Sequence, residues 1–506
     1  MRFFKLVTCL VLLLISASCS NVNDKMVKMI PSDSKGVICV NVPEIIKKAQ
    51  ISDDQKLPDS FKKILEARKS SPLCAVAGDL PNSGIDLSHN IYLFVTDKVF
   101  KTVALLPVDD EDKVEATFEK VTDNRFAEMS GIKYINTEDT YYVIKDGVLL
   151  VGTLGKMLES KDVLAEADRI LSQEKTSITE NNDDVKDCLG SDGEVNAYFD
   201  LKGVSAFLNG NKQYRQFIQK MPIVGIFTES DIKAVVCNLK IDKSTAQFTA
   251  KIKADDNSDY VQLLSSTLAK PSNDFLKVIP NSMEYIVSMS LNGANFAKLS
   301  QMQQLTDAFK KIPNLKELDL GGIVSTINGP MAIGLARDPY LKGEWNVVVA
   351  AKSQNANLVL GNIIRYAQSM GQAPEKYGSE YVYQYNNKQV NVGTNADVVY
   401  VKMLDYEQTE GYAYELPDVR DFFAKNPIGL FVHTKTDSTS GFFNFGITNY
   451  VDGNGFFYTQ NDTDNAALVL LEIICMAQNN DTEQADEEED LDLNQLTGAG
   501  DYMQTM

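Results

Sequence analysis

Short apolar runs punctuate the chain at Ile91–Val95, Val103–Leu106 and Trp345–Val349. Read as alternating apolar runs, they predict half-buried strands. Between such runs the apolar period lengthens: Val114, Phe118 and Val121, and later Leu358, Ile363 and Tyr366, recur at helical spacing. These stretches predict helices with one apolar face. Turn sequences such as Lys145-Asp-Gly147 and Asp452-Gly-Asn-Gly455 link many of the strands directly. Strands outnumber helices, and short turns require antiparallel neighbours, so the pattern predicts an α+β fold of largely antiparallel sheet with helices packed on one face.

The pattern also repeats. Lys28-Met-Ile-Pro-Ser-Asp-Ser34 is echoed by Lys277-Val-Ile-Pro-Asn-Ser-Met283, and each precedes a strand-like run. Leu57–Ile64 matches Leu305–Ile312, Val148–Val151 matches Val398–Val401, and Asp184–Asp187 matches Asp418–Asp421, all in the same order. The first two matches lie 249 and 248 positions apart, whereas the last lies 234 apart. The first copy accounts for the difference with a helical insert, Lys156–Ser172, and it carries a further helix-like segment, Val204–Met221, before the hairpin Ile232–Lys253. That hairpin corresponds to Gly441–Gln460. The reading is therefore two tandem homologous lobes, 27–270 and 271–477, the second an internal repeat of the first.

Ahead of the repeats, Arg2 and Lys5 precede an apolar stretch, Leu6–Ile15, and small residues lead to Cys19. A membrane-spanning helix needs about 20 apolar residues, so 1–18 reads as a signal peptide instead. Ser16-Ala-Ser-Cys19 resembles the lipobox of bacterial lipoproteins, with Ser16 where Leu is usual. The resemblance implies a diacylated, palmitate-bearing Cys19, a lipidated tether over 19–26, and attachment to the bacterial outer membrane facing the periplasm or the cell surface. With the Ile-Pro turns, the helix entry Asn41-Val-Pro-Glu-Ile-Ile46 and the duplicated body, the chain from about Val27 to Ala477 resembles an uncharacterised family of Bacteroidetes lipoproteins, a domain of unknown function. That family brings no activity, ligand or catalytic residue with it.

Charge narrows the partners. The 506 residues carry a formal net charge of -20, but no Lys or Arg follows Lys435, and 14 Asp or Glu lie in 436–506. The body is nearly neutral, and the acidic run from Asp481 to Asp492 predicts a solvated, disordered tail over 478–506. Phosphate neutralisation requires a basic stripe, and none exists, so nucleic acid is excluded. Membrane contact is expected through the N-terminal lipid alone, with an envelope protein or polysaccharide as partner.

Catalytic motifs are scarce. His89 and His433 fall at different places in the two copies, and no G-x-S-x-G elbow occurs. Ser32-Asp-Ser-Lys35 satisfies S-x-x-K but lacks the companion motifs, and reads as a turn. Cys39, Cys74, Cys188, Cys237 and Cys475 have no C-x-x-C spacing, and Cys39 and Cys237 lie within apolar runs, as core thiols do. Asp452–Gly455, with Asn461–Asp464 nearby, could offer oxygen ligands to calcium but reads as a hairpin turn. No catalytic, cofactor-binding or metal-binding residue is assigned, and Cys19 is the single site residue. Tyrosine-rich segments (Tyr141-Tyr142, Tyr381-Val-Tyr383, Tyr412-Ala-Tyr414) suit either core packing or a binding face. The leading expectation is a non-enzymatic binding or structural protein. The alternative is a glycan-directed hydrolase using a carboxylate pair between the lobes.

Overall fold

The computed structural model describes residues 21–49, 82–137, 139–155, 158–172, 177–201, 232–242, 244–255, 258–311, 319–337, 345–385, 388–404, 411–435, 440–448, 451–459 and 466. The signal peptide, Cys19, Leu57–Ile64, the segment Val204–Met221 and the acidic tail lie outside the described residues.

Among the described residues, twenty strands pair into one sheet. The first ten are β1 (Gly36–Val40), β2 (Ile91–Val95), β3 (Phe100–Pro107), β4 (Ala127–Met129), β5 (Ile132–Thr137), β6 (Thr140–Lys145), β7 (Val148–Leu154), β8 (Val195–Asp200), β9 (Ala234–Ile241) and β10 (Thr245–Lys253). The second ten are β11 (Tyr285–Asn292), β12 (Ile327–Arg337), β13 (Trp345–Ser353), β14 (Glu375–Tyr377), β15 (Glu380–Tyr385), β16 (Lys388–Asn395), β17 (Val398–Met403), β18 (Ile428–Lys435), β19 (Ser440–Thr448) and β20 (Asp452–Thr459). Across the sheet they run β4-β5-β6-β7-β3-β2-β1-β8-β9-β10, then β20-β19-β18-β11-β12-β13-β17-β16-β15-β14, with every neighbouring pair antiparallel. Outward from the β10–β20 pair, each strand on one side has its counterpart, ten strands later in the chain, at the same distance on the other. The Ile-Pro turns agree: Pro31 bridges Ser177 and Pro280 bridges Tyr412. The backbone N–H groups of Ile178 and Ala413 donate to the carbonyls of Ile30 and Ile279 at 2.9 and 2.8 Å.

Three expectations are corrected. First, the strands form one continuous sheet, because β10 and β20 pair from Thr245–Tyr458 to Lys251–Asp452 and so satisfy each other's open edge. Second, helices cover both faces of the first half. Helices Val42–Ala49 and Glu111–Thr122 pack with Leu93, Ala104 and Leu149 on one side. Helices Asn21–Met29, Ser160–Leu171 and Asp183–Leu189 pack with Phe94, Val103 and Leu150 on the other. The signal lies in β2 and β7, whose apolar runs do not alternate and are buried throughout Ile91–Val95 and Val148–Val151. Third, Asp452–Gly455 is strand, not turn, paired with β10 and β19.

The glycines in that strand have a packing role. Phe248 and Phe445 both stand opposite Gly455, one on each neighbouring strand, and their rings meet at 5.7 Å with an interplanar angle of 55°. A Cβ on Gly455 would lie 2.7 Å from the carbonyl oxygen of Asn444 and 3.2 Å from the Phe445 ring. Helix Ala356–Ser369 also departs from its predicted face. Val359, Asn362 and Ala367 are buried whereas Leu358 is exposed, and Asn362 Oδ1 accepts from Arg365 Nη2 at 2.5 Å.

In the second half the short 3-10 helix Asp274–Lys277 is tied to β13 by charge. Lys352 Nζ donates to Asp274 at 2.6 Å, and Ser272 and Lys277 add bonds of 2.6 and 3.0 Å, which hold the Asp274 carboxyl well below the usual carboxylate range.

Two outcomes follow. Gly455→Val should lower unfolding free energy in urea by about 1–3 kcal/mol through overpacking at the β19–β20 pair. A depressed carboxyl stabilises the fold above its unfolded pKa of about 3.9 and loses that contribution as pH falls toward the folded value. Melting temperature should therefore drop more steeply below about pH 4 in the native chain than in Asp274→Asn, measured by circular dichroism from pH 7 to 2.

Candidate functional site

A groove of about 650 Å³ opens at the β14 end of the sheet, lined by residues that include Glu375, Tyr377, Glu380, Tyr383, Gln389 and Asn391. Strand pairing brings these together: Glu375 stands opposite Val382, Tyr377 opposite Glu380, and Val382 opposite Asn391. Alternation along β14, β15 and β16 puts Glu375, Tyr377, Glu380 and Asn391 on one face. This is the face that farther along carries Val348, Ala350 and Val398 into the second-half core.

Glu380 is the centre of the polar lining. Its Oε1 accepts from the Tyr400 hydroxyl at 2.6 Å and its Oε2 from Asn391 Nδ2 at 3.1 Å. Gln389 Nε2 donates to Asn391 Oδ1 at 2.9 Å, extending the chain of bonds along β16. Gly393 makes the Tyr400 contact possible, because a Cβ there would lie 2.6 Å from the Tyr400 hydroxyl oxygen. Burial, and then the bond to Glu380, pushes the Tyr400 phenol well above its ordinary range. Lys402 Nζ lies 3.9 Å from Glu380 Oε1 and over the rings of Tyr400 and Tyr412, at 4.7 and 5.4 Å from their centroids. Burial lowers its pKa despite the neighbouring carboxylate. At the rim, the Tyr377 ring is 62% exposed while its hydroxyl donates to Glu375 Oε2 at 2.7 Å.

The groove occupies a position that the first half fills. The β6–β7 and β16–β17 hairpins close at Lys145–Val148 and Asn395–Val398. Two residues from each closure, Val143 faces Leu150 and Gly393 faces Tyr400. In the first half this row reads Tyr134, Val143, Leu150, Leu105; in the second it reads Glu380, Gly393, Tyr400, Ala350. The first row lies beneath helix Ser160–Leu171, which buries Val163, Leu164, Ala167, Ile170 and Leu171 and places Ser160 Oγ 2.9 Å from the Tyr141 hydroxyl. In the second half only residues 404–412 separate β17 from the 3-10 helix Ala413–Glu415, too few for a helix of that length.

The residues singled out in the sequence gather nowhere comparable. His89 is buried in a turn, and one ring nitrogen, Nδ1, contacts both Asp86 Oδ2 at 2.8 Å and Ser88 Oγ at 2.9 Å. A nucleophilic relay needs the acid and the hydroxyl on opposite ring nitrogens. His433 lies in β18, in the other half of the sheet. Lys35 extends the pairing of β1 through its backbone, with bonds of 2.8 Å to Val95 and Asp200, and Ser34 N closes the preceding turn on Pro31 at 3.1 Å. Cys39 and Cys188 are buried and Cys237 is half-buried; desolvation raises their thiols to about 12, 12 and 11, so they behave as core. Among the described residues no group of three or more His, Cys, Asp or Glu could hold a metal ion, and no helix is long and apolar enough to cross a membrane.

Sequence reasoning missed Glu375, Tyr377, Glu380, Gln389 and Asn391. The signal available was the repeat itself, where Glu380 stands in place of Tyr134, Gly393 in place of Val143 and Tyr400 in place of Leu150, and the shorter spacing of 234 leaves too few residues for a counterpart of helix Ser160–Leu171.

No family model matches the chain, and no curated protein matches it. Among solved structures it is similar to crystal form I of TP0453, with 12% identity and a TM-score of 0.30 over 49% of this chain and 85% of that one. Crystal form III of the same protein gives 11% identity and a TM-score of 0.28 over 48% and 86%.

Tyr400→Phe should remove a hydrogen bond to a charged acceptor and cost about 1.5–3 kcal/mol of stability, read from denaturant unfolding.

Proposed function

We propose that the chain is a non-enzymatic binding protein of the bacterial envelope, anchored to the outer membrane through lipid on Cys19, and that the β14–β16 groove is its ligand site. The supporting observation is the groove's lining: an exposed tyrosine, two carboxylates and amides on a stretch of this face that the other half covers with helix Ser160–Leu171. A ligand pocket needs such convergent polar groups on a rigid scaffold. In this reading the chain consists of two tandem homologous lobes of the Bacteroidetes lipoprotein type. The paired strand order on either side of β10–β20 supports the duplication. One lobe keeps the covering helix as scaffold, and the other opens as a binding surface toward an envelope or extracellular polymer.

The hydrolase reading draws on Glu375 and Glu380 lining the same groove. It moves the carboxylate pair from between the lobes to the sheet's outer end. Binding is favoured because each carboxylate already accepts a tyrosine hydroxyl and the groove is open along the sheet edge.

Two measurements test the proposal. Cys19→Ala should shift the protein from the membrane pellet to the soluble fraction, since acyl chains contribute about 0.8 kcal/mol of membrane affinity per buried methylene; continued sedimentation with membranes would refute anchoring. Incubation with polysaccharide should give retention on the polymer without new reducing ends, and release of reducing ends that Glu380→Gln abolishes would replace binding by hydrolysis.

A further inference from the structure

Resting on the groove as the ligand site, we infer that its ligand is an uncharged, hydroxyl-rich chain, a neutral polysaccharide segment rather than a polyanion, a polycation or an apolar helix. Four observations on the lining point this way.

The first is charge. Among the described residues the lining holds two carboxylates, four carboxamides and no Lys, Arg or His. The nearby cation, Lys402, is 13% exposed and is held over two tyrosine rings behind Glu380. A uronate or phosphate polymer would meet two like charges and, among the described lining residues, no counter-charge. The second is hydrogen-bond complementarity. Gln and Asn each present donors and acceptors, and the bonds running from Gln389 through Asn391 to Glu380 fix their orientation. Sugar hydroxyls donate and accept at once and suit such a lining. An ammonium only donates, and Glu380, already accepting from Tyr400 and Asn391 with Lys402 nearby, offers it little uncompensated charge.

The third is the rim. Tyr377 presents an exposed ring whose hydroxyl is anchored on Glu375, a flat apolar platform for the C–H face of a pyranose with low rotamer cost on binding. The fourth is the comparison between halves. A surface for an apolar helix exists in this molecule, the Tyr134-Val143-Leu150 row beneath Ser160–Leu171, and the groove has lost that character in becoming Glu380-Gly393-Tyr400.

The test uses the full-length protein in detergent and affinity electrophoresis with three probes: a panel of neutral polysaccharides (laminarin, mannan, arabinan), polygalacturonate and chitosan, each at low and moderate salt. A neutral polymer is expected to retard the protein, with little salt dependence because screening acts on charge pairs. Tyr377→Ala and Asn391→Ala are each expected to weaken that retardation roughly tenfold or more, equivalent to about 1.4 kcal/mol. Tyr377 is exposed, so its variant should keep the native melting temperature and separates loss of binding from loss of fold. If polygalacturonate or chitosan binds and Tyr377→Ala abolishes it, the groove stands and the neutral ligand class is overturned. If no probe responds to either variant, or none binds, both the ligand class and the groove as ligand site fall.

Discussion

Everything in this architecture depends on the antiparallel pairing of β10 with β20. Seven paired positions, Thr245–Lys251 against Tyr458–Asp452, convert two sheet edges into the centre of one sheet. Edges left open expose a row of unsatisfied N–H and C=O groups, so closing them on each other removes a liability from both halves at once. The pairing requires β20 to lie flat between β10 and β19, and its glycines permit that. With Gly455 between them, Phe248 and Phe445 close over the strand and bury apolar area where a side chain on β20 would separate the strands.

That dependence explains which parts of the fold were legible in sequence. The antiparallel α+β class followed from runs and turns, and the order of elements followed from matches such as Lys28–Ser34 with Lys277–Met283. Register with a distant strand was not legible, because nothing local in Thr245–Lys253 specifies Asp452–Thr459 as its neighbour. The Asp-Gly-Asn-Gly stretch misled for a related reason. Glycine favours turns through backbone freedom, yet here it serves close packing between strands, and only the tertiary partner distinguishes the two. Two-sided burial of β2 was readable in its unbroken Ile-Tyr-Leu-Phe-Val run, a pattern that alternation arguments pass over.

The candidate site was less legible than the fold. Its residues are ordinary surface types spread over 372–391, without motif or fixed spacing. What marks them is a difference between matched positions: Val143 against Gly393, Leu150 against Tyr400, Tyr134 against Glu380. One half invests those positions in holding a helix. The other places a glycine where a tyrosine must cross the strand to reach a carboxylate. Among the described residues, the loss of a covering helix and the change in chemistry coincide at one place on the sheet, although each alone reads as routine variation.

A single sheet built from both halves still has two ends. Among the described residues β4 pairs only with β5 and β14 only with β15, so their outer edges face solvent. Both strands are three residues long, exposed throughout, and carry charge at Glu128 in one and at Glu375 and Lys376 in the other. Brevity and charge deny an incoming strand the flat apolar template that fibril growth requires. The same sheet that closes its internal edges by self-pairing thus protects its outer ones by brevity and charge.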